Sequence, residues 1–235
     1  MTSILEVNDL RVYFHTPRGM VKAVDNVTFD VHAGERFGLI GESGSGKSTI
    51  ALAIMRLIRP PGRIESGEIR LEGENLLALS DEEMRQRRLA GVAMVTQGAM
   101  NSLNPVMRIR QQFADGLNSH GETVTVDEAR EQLVDLLARV GLKPEAADVY
   151  PHQLSGGMKQ RVCIALAMSL RPSLIIADEP TSALDVVVQR QVVQTLRQVQ
   201  EELDAAVILI GHDMGLMAQF ASRVGVMYAG KLVEE

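Results

Sequence analysis

The sequence has little of several features that define large protein classes. Its 235 residues include a single cysteine, Cys163, so this chain alone can form no internal disulfide and no metal or iron–sulfur site made of cysteines only. The formal net charge is −6, and sequence-independent nucleic-acid binders normally carry a basic surface instead. No window reaches the roughly 18 uninterrupted apolar residues of a membrane-spanning helix. These absences argue against a disulfide scaffold, a general nucleic-acid binder and an integral membrane protein.

The remaining composition is that of an ordinary globular protein. The chain is 46% hydrophobic and 23% charged, and its length suits one sizeable core with subdomains. Residues 1–9 lack the basic start and the long apolar core of a signal peptide. We therefore expect a soluble cytoplasmic protein or subunit.

The most informative segment is residues 41–48, Gly-Glu-Ser-Gly-Ser-Gly-Lys-Ser, which fits the phosphate-binding pattern G-x-x-x-x-G-K-[ST]. Residues 36–40 before it form a short apolar run typical of a buried strand. Residues 49–58 after it have the apolar spacing of a helix. The alternative is a flexible Gly/Ser turn that carries a lysine by chance. The strand and helix on either side favour a phosphate-binding loop, because the pattern requires that context.

The residue types in this loop suit a nucleotide. Glycines let the backbone turn sharply and approach a ligand closely, so that the loop N–H groups converge on an anion. The next helix adds the positive end of its dipole. Lys47 supplies a charge for the β- and γ-phosphates, the Ser48 hydroxyl can bind Mg²⁺, and Thr49 can help to hold the α-phosphate. The predicted nucleotide-binding residues here are Gly41, Glu42, Ser43, Gly44, Ser45, Gly46, Lys47, Ser48 and Thr49.

Strand patterns surround this loop on both sides in the sequence. Residues 4–7 and 20–31 read as antiparallel strands that flank the loop rather than join a parallel core. The other predicted elements are strands at 67–71, 92–95, 174–178, 206–210 and 224–228, and helices at 80–88, 188–203 and 213–220, of which the first begins with a capping box at Ser80.

Between residues 98 and 170 the periodicity is helical. We predict helices at 107–118, 127–140 and 155–170, with Gly141 ending the second. The sequence therefore predicts a mostly helical insertion of about 70 residues between core strands.

Two acidic residues follow a strand that is apolar enough to be buried on both faces. Asp178 and Glu179 lie at its carboxyl end, which is the edge where open α/β sheets bind ligands. Asp178 suits the magnesium shell, and Glu179 suits the orientation or deprotonation of a water that attacks the γ-phosphate. The alternative is a strand that simply ends in polar surface residues. The presence of a phosphate-binding loop in the same chain disfavours this alternative.

The third insertion helix begins unusually. Ser155 is a good N-cap, but Gly156 and Gly157 after it cost helix propensity, so a simple helix start does not need them. An exposed Ser-Gly-Gly helix start is a phosphate-binding site. Because this helix belongs to the insertion, we expect a partner chain to supply it to the nucleotide.

Together these motifs resemble the nucleotide-binding subunit of an ATP-binding cassette (ABC) transporter. Residues 41–48 match the family's Walker A motif, 174–179 its Walker B motif and 154–158 its LSGGx signature. Residues 182–185 match the D-loop, Gln97 the Q-loop glutamine and His212 the switch histidine. The matches occur in the family's order across nearly the whole chain.

The resemblance implies a fold. It is an α/β P-loop NTPase (RecA-like) core with an N-terminal antiparallel β subdomain and an inserted α-helical subdomain. Residues 1–235 would form a single ABC ATPase domain, with the core and β subdomain in about 1–97 and 172–235 and the helical subdomain in about 98–171.

The resemblance also implies a head-to-tail dimer that binds ATP and Mg²⁺. Each ATP would lie between the Walker A loop of one subunit and the signature helix of the other. Ser155, Gly156 and Gly157 would act in trans, with Ser155 and Gly157 touching the γ-phosphate, and Asp185 would communicate across the dimer. Whether the second nucleotide-binding subunit is identical or different stays open.

Further roles come from the same resemblance. Gln97 would reach the metal and the attacking water, so that the metal residues would be Ser48, Gln97 and Asp178; the alternative is a polar strand end. His212 would bind the γ-phosphate and position the water of Glu179; the alternative is an ordinary loop histidine. An aromatic residue before the Walker A loop would stack on adenine. Tyr13 and Phe14 both remain candidates, and Phe14 is favoured because relatives carry an aromatic residue there.

Within the family, residues 10–14, 41–48 and 100–105 are similar to ATPases of oligopeptide, dipeptide and nickel importers. Gly98-Ala99 departs from the Asp-Pro usual after the Q-loop glutamine, which loosens the match at the membrane-facing loop. The resemblance implies uptake of a peptide-like or oligosaccharide solute, transmembrane permease subunits as partners, an indirect extracytoplasmic solute-binding protein, and a place on the cytoplasmic face of the membrane. Many relatives continue into a C-terminal extension that can hold an iron–sulfur cluster; such an extension would lie outside this sequence.

The rival functions are a soluble, non-transport ABC ATPase that acts on nucleic acid or the ribosome, and a degenerate ATP sensor. The first class usually shows paired cassettes or long coiled-coil insertions, which this sequence lacks, and the acidic charge also opposes it, so we expect no nucleic-acid partner. The sensor is disfavoured because the hydrolytic residues are retained, namely Lys47, Gln97, Asp178, Glu179 and His212.

Overall fold

Two β-sheets form the framework of the protein. The structure is a computed structural model that describes residues 2–96, 98, 102–182 and 184–235. The first sheet is antiparallel, and its strands lie in the order β2-β1-β4-β5. Its bounds are β1 Ser3–Thr16, β2 Gly19–His32, β4 Gly62–Leu71 and β5 Glu74–Asn75.

The second sheet is the central one and has the order β10-β9-β3-β8-β7-β6. Its first five strands in the chain run parallel, and the last, β10, pairs antiparallel at the edge. Every residue of β7 is buried, as expected for a strand covered on both faces. The bounds are β3 Arg36–Gly41, β6 Val92–Val95, β7 Leu174–Asp178, β8 Ala206–Gly211, β9 Arg223–Tyr228 and β10 Lys231–Glu234.

Seven α-helices occur in the described residues, and apolar faces fix their packing. In α3 the buried residues Ile109, Phe113 and Leu117 recur every fourth position and face α4, whose buried stripe follows the same spacing. Helix α4 packs in turn on α5, and α5 packs on α6. No helix in the described ranges is long and apolar enough to cross a bilayer. The bounds are α1 Lys47–Ile54, α2 Asp81–Ala90, α3 Ile109–Asn118, α4 Val126–Arg139, α5 Gly156–Ala167, α6 Val186–Leu203 and α7 Met214–Phe220.

The register of the central sheet brings separate motifs to one edge. Ile40 of β3 lies opposite Gly211 of β8, and Asp178 of β7 lies opposite Ile210 of β8. The 41–48 loop, the pair Asp178-Glu179 and His212 therefore all leave the sheet at its carboxyl edge. This is the edge at which parallel α/β sheets place their ligands.

The predicted fold class is confirmed, and the differences lie in element bounds and in a short strand that was not predicted. Strand β1 extends well beyond the predicted residues 4–7, because a bulge between Val7 and Leu10, with Asp9 at φ +49°, interrupts the alternation that marks a strand in sequence. Helix α1 ends at Ile54 instead of Ile58, because Arg56 at φ +49° leaves the helical conformation. The two-residue strand β5 was not predicted, since a segment so short carries no periodicity.

The capping box predicted at Ser80 is present. The Ser80 Oγ accepts a hydrogen bond from the Glu83 backbone N–H at 3.2 Å, and the Glu83 carboxylate accepts one from the Ser80 N–H at 2.7 Å. These bonds satisfy two N–H groups that α2 would otherwise leave without partners. Hydrogen bonds from the Ser80 side chain and from the Ser80 backbone hold the pKa of the Glu83 carboxyl group below its ordinary value.

Replacing this cap should destabilise the protein measurably. We expect Ser80→Ala to lower the free energy of unfolding by about 1 kcal/mol, measured by urea denaturation. Glu83→Gln should cost less, because its amide oxygen can still accept the Ser80 N–H bond. Equal midpoints and slopes for Ser80→Ala and the unmodified protein would show that the box contributes nothing.

Candidate active site

The 41–48 loop is shaped by contacts that only glycine permits. At Gly46, with φ +106°, a Cβ atom would lie 2.2 Å from the Ala23 carbonyl oxygen of β2. At Gly41, one would lie 2.2 Å from the Met227 carbonyl oxygen of β9. Helix α1 then begins with no side-chain cap from the described residues and no acidic residue in its first turn. Its N–H groups and dipole are consequently available to an anion.

Lys47 is held over this loop. Its Nζ donates hydrogen bonds to the carbonyl oxygens of Gly41 and Glu42, both at 2.8 Å, and the residue is only 5% exposed. Burial lowers the pKa of Lys47 below its ordinary value, while the negative charges of Glu179 and Asp178 oppose that shift. The loop itself therefore fixes the position of the ammonium group.

Asp178 and Ser48 meet directly. The Ser48 hydroxyl donates to Asp178 Oδ1 at 3.0 Å, although the two residues are far apart in sequence. Burial raises the pKa of Asp178 above its ordinary value, and the Ser48 hydrogen bond opposes that rise. Carboxylate and hydroxyl oxygens suit Mg²⁺, which takes one or two protein ligands beside the phosphates of a nucleotide. This donor set therefore fits the predicted metal.

Glu179 has an unusual backbone. Its φ is +44°, a left-handed conformation that costs free energy for a residue with a Cβ and that clusters at functional sites. Its backbone N–H donates to the Ile210 carbonyl oxygen at 3.0 Å, which anchors it to β8. The side chain is 18% exposed and lies 3.6 Å from His212 Nδ1, whereas His212 is 70% exposed. Both line a pocket of about 230 Å³ at the sheet edge.

The start of α5 lies at the surface. Ser155 is exposed, and its Oγ accepts a hydrogen bond from the Met158 N–H at 3.3 Å, as an N-cap should. A Cβ at Gly157 would lie 2.6 Å from Val188 Cγ1 of α6. The interpretation from sequence attributed Gly157 only to the close approach of a ligand. The structure adds a packing reason, which a sequence pattern does not reveal.

Asp185 has a role that sequence reasoning missed. Its Oδ1 accepts hydrogen bonds from the N–H groups of Val187 and Val188 at 3.1 and 3.0 Å, so it is the N-cap of α6. An Asp before an apolar helical run is a recognisable capping signal. The neighbouring Val186 and Val187 are 63% and 67% exposed, so this corner is apolar as well as charged.

Tyr13 and Phe14 are engaged differently. The Tyr13 hydroxyl donates to Asp25 Oδ1 at 2.6 Å, and this bond is the main reason that the pKa of Tyr13 is raised. Phe14 is partly buried against the core that the first sheet shares with α1, and its ring faces Gly62. The two rings therefore lie on opposite faces of β1, and Phe14 is on the α1 side.

The structure thus assembles most of the predicted site. The loop, Asp178, Glu179 and His212 come together at one sheet edge. Ser155, Gly156 and Gly157 form a separate helix start, at which Ser155 is exposed and the two glycines are partly buried. Gln97 lies outside the described residues. Sequence reasoning assigned no role to Gln189, whose Nε2 donates to the Thr181 carbonyl oxygen at 3.3 Å beside Glu179.

Comparison with known proteins gives a family. Residues 24–182 match the family described as ABC transporter. The oligopeptide transport ATP-binding protein OppD of Bacillus subtilis is 45% identical over 237 residues, which cover 100% of this chain and 66% of that protein. The dipeptide transport ATP-binding protein DppD of Haemophilus influenzae is 46% identical and is matched over 99% of this chain and 71% of its own length. This chain spans about two thirds of the length of these relatives.

Solved structures of ATP-binding cassettes also superpose on this chain. A dimeric structure of the ATP-binding cassette MJ0796 in a post-hydrolysis state, bound to ADP and Pi, superposes with a TM-score of 0.86 at 27% identity. The alignment covers 98% of this chain and 97% of that one. The structure of cbiO1 from Clostridium perfringens, part of the ABC transporter complex cbiONQ, gives a TM-score of 0.81 at 25% identity, over 100% of this chain and 88% of that one.

The bond between Ser48 and Asp178 can be tested without a nucleotide. We expect Ser48→Ala to raise the pKa of Asp178, because the hydroxyl donates to and stabilises the ionised carboxylate. The measurement is a ¹³C NMR titration of the Asp178 carboxyl carbon. Ser43→Ala, at an exposed position of the same loop, is the control and should leave that pKa unchanged. An unaltered titration in Ser48→Ala would contradict the proposed pairing.

Proposed function

Since this chain belongs to the ABC transporter family, we propose that it is the ATP-binding and ATP-hydrolysing subunit of an importer that takes up a peptide-like solute. The observation that carries the proposal is the cluster of Lys47, Ser48, Asp178 and Glu179 beside a glycine loop. The names of the relatives favour peptides over the oligosaccharide alternative. They also give no support to a nucleic-acid or ribosomal partner.

Nucleotide binding follows from the loop. The N–H groups of residues 41–48 and the start of α1 bind the phosphates, and Lys47 pairs with the β- and γ-phosphates. Phe14 stacks on adenine, since its ring is on the α1 side of β1 while the hydroxyl of Tyr13 is bonded to Asp25. Glu42, Ser43, Ser45 and Thr49 are the remaining residues of this nucleotide site.

Ser48 and Asp178 would hold Mg²⁺, the latter through water, with Gln97 as a further ligand. When bound, the ion neutralises charge on the β- and γ-phosphates. Ser48 and Asp178 orient one another, and Lys47, which two loop carbonyl oxygens hold over the loop, turns its N–H groups toward the phosphates.

Hydrolysis follows from the pair Glu179 and His212. Glu179 orients a water and accepts its proton while the water oxygen bonds to the γ-phosphorus. The bond from that phosphorus to the bridging oxygen breaks, and ADP and inorganic phosphate are released. His212 donates to the γ-phosphate and fixes the water of Glu179. Its 3.6 Å separation from Glu179 and its exposure leave it free to reach a ligand at the sheet edge.

A second nucleotide-binding subunit completes the site. Ser155, Gly156 and Gly157 contact the γ-phosphate bound to the partner's loop, and Asp185 lies at the contact between subunits. The exposed start of α5, the exposed Val186 and Val187, and the dimeric solved relatives support this arrangement. The permease subunits and, indirectly, an extracytoplasmic solute-binding protein are the remaining partners, and they place this chain at the cytoplasmic face of the membrane.

Loss of the Lys47 charge should weaken ATP binding. We expect Lys47→Ala to weaken ATP binding at least about tenfold, because a charge-assisted bond is worth about 1.5–3 kcal/mol. Isothermal titration calorimetry measures the affinity. Lys143→Ala removes an exposed lysine elsewhere and should bind ATP normally. Normal ATP affinity in a folded Lys47→Ala variant would refute the phosphate role of Lys47.

Removing the base should separate binding from hydrolysis. We expect Glu179→Gln to bind ATP and form a stable dimer while its hydrolysis rate falls at least about 100-fold, since the amide cannot accept the proton of water. Gel filtration with ATP and a phosphate-release assay report the two properties. A hydrolysis rate equal to that of the unmodified protein would rule out Glu179 as the general base.

A further inference from the structure

The first turn of α6 touches both halves of the proposed site. Val188 and Gln189 are consecutive, and Asp185 caps the turn that carries them. Successive residues of a helix point about 100° apart, so one turn can face two neighbours. Here one neighbour is the start of α5 and the other is the turn that follows Glu179.

The contact with α5 is made by Val188. Its Cγ1 occupies the space beside Gly157 that a side chain at position 157 would need, with 2.6 Å to the position of a Cβ. Val188 is partly buried against the core around α5. A displacement of the start of α5 therefore pushes on Val188, because the Val188 methyl group leaves no room for a further atom on Gly157.

Gln189 makes the contact with the turn that follows Glu179. Its Nε2 donates to the Thr181 carbonyl oxygen at 3.3 Å, and the Gln189 side chain lines the same pocket as Glu179 and His212. Within this turn the Ser182 N–H also donates to the Glu179 carbonyl oxygen at 3.1 Å. The turn after Glu179 is thus tied to α6 on one side and to Glu179 on the other.

We propose that the first turn of α6 couples the start of α5 to Glu179 of the same chain, with Gln189 as the positioning residue. The inference rests on the proposed function, in which the start of α5 contacts the γ-phosphate held by the partner. Closure on the partner's ATP then moves Val188, and Gln189 adjusts the turn that places Glu179. Each subunit would thereby hydrolyse its own ATP only when it has also engaged its partner's.

The first test removes the hydrogen bond and keeps the length of the side chain. We expect Gln189→Met to lower kcat for ATP hydrolysis about tenfold, because Glu179 would lose part of its positioning. The KM for ATP should stay within about twofold, because the loop that binds ATP is untouched. ATP-driven dimerisation, measured for Gln189→Met in a Glu179→Gln background, should be unchanged. Gln194→Met, an exposed position on the same helix, is the matched control.

The outcomes separate the inference from the proposed function. Absence of ATP hydrolysis in the unmodified protein would count against the function itself. An active unmodified protein with an equally active Gln189→Met variant would overturn only the coupling. Loss of dimerisation in Gln189→Met would also overturn it, because Gln189 would then support the interface instead of Glu179.

The second test exploits the tight contact at Gly157. Gly157→Ala introduces a methyl group against Val188, so kcat should fall about tenfold. Adding Val188→Ala removes the opposing methyl groups and should restore kcat to within about threefold of Val188→Ala alone, a coupling that a double-mutant cycle quantifies. If Gly157 serves only close approach to the partner's phosphate, the second substitution would restore nothing, and the coupling would be refuted.

Discussion

The hydrogen-bond register of the central sheet is the constraint on which the site depends. Because β3, β7 and β8 are parallel and aligned, their carboxyl ends meet at one edge. The phosphate-binding loop, Asp178-Glu179 and His212 come from distant parts of the sequence, yet each lies at the carboxyl end of one of these strands or directly after it. If one of these strands shifted its register by one residue, its side chains would point to the opposite face of the sheet, and the site would not form.

Around that edge, buried charges compensate one another. Burial shifts the pKa of Lys47 down and that of Asp178 up, which means that each charged form is destabilised by loss of water. Their mutual attraction and the hydrogen bonds to Gly41, Glu42 and Ser48 offset part of this cost. The protein's own groups therefore hold the phosphate-binding and metal-binding side chains in place.

The sequence predicted what local chemistry dictates. The glycine loop, the capping box and the buried strands were all recognisable, because each depends on residue type at fixed spacing. It could not show the bulge inside β1, the left-handed φ of Glu179 or the contact between Gly157 and Val188, since these depend on neighbours distant in sequence. It also read Asp185 only through a family resemblance, although the residue caps a helix.

The cap at Asp185 bears on how variants of this corner are interpreted. A substitution there removes two hydrogen bonds at the beginning of α6, so the helix would fray at the turn that carries Val188 and Gln189. A lower rate of ATP hydrolysis in such a variant could then result from local unfolding of that turn as well as from a lost contact between subunits. Asn, which caps nearly as well without the negative charge, separates the two causes.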